Sequence, residues 1–114
     1  MKHPINQVMA QRVYTLCYRI TACRKTAAAI AVEALTGNDP LHRAVQLALS
    51  RSVQPDSPLP EEALFALSQK QRAALLLLDS LHLPLADAAR WAEIPEKELL
   101  ALAHSARNFL INNK

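Results

Sequence analysis

The segment QPDSPLP, residues 54–60, sets the first limit on what this chain can fold into. Three prolines in seven residues stop any helix or central strand that reaches them, and they fall close to the midpoint of 114 residues. Each side is left with roughly fifty residues, too few to bury a large core alone, so the halves share a core or lean on a partner. What fills both sides is helix-forming: Leu (19) and Ala (20) make up about a third of the chain, while aromatics are 4% and glycine occurs once. The expected fold is all-α.

Residues 5–20, INQVMAQRVYTLCYRI, repeat apolar groups at 5, 8, 9, 13, 16, 17 and 20, the rhythm of an amphipathic helix. Thr26 is placed to cap or begin a second helix through TAAAIAVEAL, which TGNDP stops with Gly37 and Pro40. A third helix fits LHRAVQLALSRSV. Beyond the prolines, Pro60 with Glu61 and Glu62 makes a helix start for a short segment to about Leu67. A longer helix, SQKQRAALLLLDSL, opens on Ser68 and Gln71 at the spacing of a capping box. A turn at 82–84, a short helix LADAARWA, a tight turn AEIP and a final helix to about Ile111 complete the chain. This divides it into residues 1–53, a link at 54–60, and residues 61–114.

Charge is uneven. Residues 1–53 carry seven basic groups (Lys2, Arg12, Arg19, Arg24, Lys25, Arg43 and Arg51) against Glu33 and Asp39, a net +5. Residues 54–114 carry six basic and eight acidic groups, a net −2. Arg12, Arg19, Arg24 and Lys25 form the densest basic patch, an ordinary solvated face or the footprint of an acidic partner such as nucleic acid.

Read as ALFALSQKQRAALLLLDSLHLPLADAARWAEIPEKELLALAHSARNFL, the second half places Leu67, Gln71, Arg72, Leu75, Leu76, Leu77, Leu83, Ala89, Ile94, Pro95, His104, Ala106, Arg107 and Leu110 in step, without a gap, with a known pattern. It resembles region 4 of the sigma-70 family, most closely the extracytoplasmic-function sigma factors. YRITACRKTAAAIAVEAL in the first half is similar to the start of sigma region 2, in shortened form. The resemblance implies a sigma-like helical bundle with a C-terminal helix-turn-helix over residues 63–111, and transcription regulation as the function.

The departures from the family pattern bear on how such a protein would work. LHRAVQLALSRSV has no aromatic side chain on which bases of a melted promoter could stack. Glu93 stands where the family has a left-handed turn glycine, which costs about 1 kcal/mol if that geometry is kept; a wider turn would avoid the cost. Where the family has base and phosphate contacts stand Glu98, Leu100, Ala101 and Leu102, which offer no bidentate donor to guanine or adenine.

On a helical wheel Leu99, Ala103, Ala106 and Leu110 form the inward stripe of this last helix, Leu102 and Phe109 widen it on one flank, and Leu100 widens it on the other. Helices of the first half cover this surface, or it docks a second protein or a second copy of the chain. Trp91, Leu100, Leu102 and Phe109 are the candidate contact residues; Trp91 is also suited to the core. The expected partners are RNA polymerase, an anti-sigma-like protein or the chain itself as a dimer.

Two other readings stay open. In one, the chain is a minor sigma factor that binds promoter DNA weakly, with Lys97, His104 and Arg107 on phosphates and Arg12, Arg19, Arg24 and Lys25 assisting. In the other, it is a structural subunit of a helical assembly.

Several classes are not expected. With one glycine there is no phosphate-cradling loop, and no nucleophile and base pair stands out, so neither an enzyme, a cofactor nor a small-molecule substrate is anticipated. His3, His42, His82 and His104 lack ligand spacing, and Cys17 and Cys23, about 600° apart on a helix, point to different faces; no metal is expected and both thiols should be reduced. No run reaches the roughly 18 apolar residues that span a bilayer, and the first residues lack a signal-peptide core, so a cytoplasmic protein is expected.

Overall fold

The computed structural model describes residues 7–51, 53–57 and 61–112. Six helices and no strand occur among them: α1 (Gln7–Thr21), α2 (Arg24–Leu35), α3 (Pro40–Ser50), α4 (Gln69–Leu75), α5 (Leu85–Ala92) and α6 (Glu96–Asn112). The fold is all-α. A single 3₁₀ turn, Ala63–Ala66, replaces the short helix expected before α4, and α4 runs on into a π turn, Leu76–Ser80. Pro60, the expected helix start, lies outside the described residues, as do Ile5 and His3. No helix among the described residues is long and apolar enough to cross a membrane.

One hydrophobic core runs through all six helices. It joins Val13, Ile20, Ile30 and Val45 from the first half to Ala74, Leu77, Ala88 and Leu99 from the second. Fully burying each of the larger aliphatic side chains contributes about 1.5–3 kcal/mol. Half of the buried apolar residues described are alanines, so the helices approach closely and leave little room for larger groups. A smaller cluster of Leu67, Leu75 and Ala106 closes the end of α4 against α6, with Leu64, Phe109 and Leu110 packed on it.

Polar links also cross between the halves. Arg72 of α4 is buried, and its guanidinium donates from Nε (3.2 Å) and Nη2 (2.7 Å) to the carbonyl of Ile20, at the end of α1, and from Nη1 to the carbonyl of Leu67. Those carbonyls have no helical partner of their own at a C-terminus, so the arginine satisfies them while burial pulls its own pKa down. Phe65 of the 3₁₀ turn fits beneath, 5.4 Å from the Tyr18 ring and 5.9 Å from the Arg72 guanidinium. Gln69 Nε2 donates to the carbonyl of Ala48 at the end of α3.

The link itself packs back on the first half. Asp56 donates its backbone N–H to the carbonyl of Ala22 (2.8 Å), and its carboxylate accepts from the backbone N–H of Arg24 (3.0 Å). That second bond explains where α2 begins. Cys23, the residue before it, makes no side-chain cap, and the helix starts two residues earlier than Thr26 because a carboxylate 32 residues away caps it. The capping box at α4 is present as expected, with Ser68 Oγ accepting from the N–H of Gln71 and Gln71 Oε1 accepting from the N–H of Ser68.

Candidate protein-contact site

The connection from α5 to α6 fixes how the last helix is presented. Glu93 adopts left-handed geometry (φ 56°, ψ 41°), the N–H of Ile94 donates to the carbonyl of Ala89, and that of Glu93 donates to the carbonyl of Arg90. This is a Schellman closure, with Ile94 and Ala89 both buried as its apolar contact. The turn is therefore tight and is not widened, although a glutamate occupies the position that favours glycine. Pro95 follows and α6 begins at Glu96.

From that turn, α6 buries Leu99, Ala103 and Ala106. Leu102 packs on the main core and Phe109 on the smaller cluster with Leu67 and Leu75, so this flank is closed largely by the chain's own α4 side. The opposite flank stays open: Leu100 is 39% exposed and Ile111 is 63% exposed. Leu100, His104, Arg107 and Ile111 fall within an arc of about 60°. Ile111 is the member of this row that the sequence reading did not single out; its 11-residue offset from Leu100, three helical turns, is the signal that finds it.

Charge at the start of α6 is mixed: Glu96 and Lys97 lie within about 60° of Leu100, while Glu98 lies about 160° round the helix from it. The first turn of α6, the part of a recognition helix that enters a DNA groove, carries Glu96 and Glu98, both exposed. Their carboxylates suit the positive end of the helix dipole and would repel a phosphate backbone. Arg107 is engaged elsewhere: Nε donates to Asp79 Oδ2 (3.0 Å) and Nη2 to Asp79 Oδ1 (2.7 Å), a bidentate pair that ties α6 to the π turn. The hydrogen bonds from Arg107 hold the Asp79 carboxyl below its ordinary pKa and raise that of Arg107 in turn. Lys97 and His104 are exposed and form no ion pair among the described residues.

The other singled-out residues are spread over the molecule. Trp91 is half-buried against the core and stacks on His42 of α3, with ring centroids 4.8 Å apart and planes at 7°, so one indole face is already occupied. Arg12 and Arg19 lie on α1, and Arg24 and Lys25 open α2, where all four are at least partly exposed. Cys17 is buried, which pushes its thiol up to about 12, while Cys23 is half-exposed; both are free. Among the described residues no group of three His, Cys, Asp or Glu side chains is placed to hold a metal ion.

Comparison with protein-family models, curated proteins and solved structures gives no match to this chain.

Proposed function

We propose that this chain is a transcription regulator on a degenerate sigma-like scaffold, acting through protein contact and not by reading a promoter. The outer face of α6 is the docking surface. Its partner is RNA polymerase, an anti-sigma-like protein or a second copy of the chain. The observation that carries this reading is the composition of that face: Leu100 and Ile111 project from it, Glu96 stands beside them in the first turn, and Arg107 is held by Asp79. An apolar row beside polar neighbours gains by covering itself with protein, whereas in a major groove leucine offers only methyl contacts.

The test is co-sedimentation of the chain with core RNA polymerase, and light scattering of the chain alone, for wild type and for Leu100→Glu with Ile111→Glu. Both residues are exposed, so the double variant keeps its helix content by circular dichroism and loses association. Association that is unchanged in a folded variant removes α6 from the contact.

The exposure of Lys97 and His104 on the same side of α6 favours one second reading, that the helix retains weak DNA binding. Under it, duplex binding falls steeply with salt and Lys97→Ala weakens it. Binding that ignores Lys97 and His104 rules this reading out.

A further inference from the structure

A second surface, on α1, carries a signature of its own. A groove of about 280 Å³ opens between α1, the first turn of α3 and the π turn that follows α4. Leu16, Leu41, Leu76 and Leu81 line it, and among the described residues Arg12 and Arg19 are the charged groups on its walls. Neither arginine forms an ion pair among the described residues. Seven residues apart on one helix, they stand about 10 Å apart along the axis with leucine between them.

The far wall exists because α4 changes its winding. The N–H of Leu81 donates to the carbonyl of Leu76, five residues back, at 2.9 Å, and this π turn brings Leu76, Ser80 and Leu81 together at the groove. Such turns interrupt a helix at some cost in regularity and are frequent at functional sites.

We propose that this groove seats an amphipathic helix of a partner protein bearing two carboxylates two turns apart, with leucine-sized side chains between them. Charge complementarity selects that occupant. Among the described residues the walls bring two cations and no carboxylate, so a basic or neutral helix leaves both arginines unpaired. The leucine lining selects against nucleic acid, whose backbone would satisfy the arginines but leave the apolar surface open to water. Apolar anchors at i, i+3, i+4 and i+7 are the means by which a helix fills a groove of this kind. This surface is separate from the α6 face and does not depend on it.

The probe is a fluorescently labelled synthetic helix with glutamates seven residues apart and leucines between them, titrated into the full chain by anisotropy. Saturable binding is expected. Arg12→Glu with Arg19→Glu should weaken it by at least about tenfold, and a peptide with lysines for the glutamates should then bind the reversed variant better than wild type. Circular dichroism establishes that the variant is folded, and the charge swap separates recognition from damage.

Leu100→Glu on α6 should leave peptide binding unchanged. The proposal is overturned if the reversed variant binds the acidic peptide as well as wild type does, or if Leu100→Glu abolishes binding. It is equally overturned if wild type ignores the peptide and takes duplex DNA through Arg12 and Arg19.

Discussion

Replacing Glu93 by glycine should stabilise this protein, a consequence of one backbone geometry. Glu93 holds φ 56° and ψ 41°, where the Cβ of an L-residue crowds its own backbone at a cost of about 1–2 kcal/mol. Glycine removes that crowding but brings a more flexible unfolded chain, which takes back about 0.4–1 kcal/mol. At the midpoints of these ranges the net gain is about 0.8 kcal/mol, or roughly 2–5 °C in melting temperature for a domain of this size.

Urea unfolding followed by circular dichroism reads the change as a higher midpoint at unchanged slope. Glu93→Gln serves as the control, since it discards the charge near the negative end of α5 and keeps the strained backbone; it should stay within about 0.5 kcal/mol of wild type. If Glu93→Gln gains as much as Glu93→Gly, charge and not backbone strain is the cause. If Glu93→Gly destabilises, the Schellman geometry at the α5–α6 turn is wrong.

Other consequences follow from the same packing. Arg72→Met keeps the aliphatic stem but orphans the carbonyls of Ile20 and Leu67, and should cost about 2–4 kcal/mol, measured by the same urea titration. For the pair of Asp79 with Arg107, the folded-state carboxyl pKa lies below its unfolded value near 3.9. Its contribution is therefore complete above that unfolded value and lost as pH falls through the lower, folded one. Because both side chains are more than a third exposed, the effect is below about 1 kcal/mol, and Asp79→Asn should flatten that part of the acid limb in a pH series of unfolding midpoints. Toward a thiol reagent at neutral pH, Cys23 should react promptly and Cys17 only after unfolding, because burial keeps Cys17 protonated and out of reach; two fast-reacting thiols in the native protein would contradict its burial.

Where local chemistry decides structure, the sequence was readable. LADAARWA lies between Pro84 and Glu93, and α5 occupies Leu85–Ala92; Ser68 and Gln71 close the capping box at the spacing that suggested it. Features set by distant partners were not. The start of α2 depends on Asp56, and nothing near Thr26 or Arg24 announces it. The π turn hides inside LLLLDSL, whose apolar run suits an ordinary helix, because the register change shows only where Leu81 meets Leu76. The wide apolar arc of α6 was visible as a wheel, but periodicity could not say which flank the chain covers. Packing answers that: Phe109 lies against Leu67 and Leu75, and Leu100 remains outside. Arg107, legible as a cation, proved to be held by Asp79, 28 residues away.

The most direct test of the central claim is light scattering of the purified chain in low salt, alone, with a promoter-like duplex, and with core RNA polymerase. The expected result is a complex of the chain with itself or with the polymerase that Leu100→Glu with Ile111→Glu dissolves, and no complex with DNA through α6. A duplex complex that survives those substitutions and dissolves on Lys97→Ala with His104→Ala would contradict it, and would make α6 a DNA-reading helix.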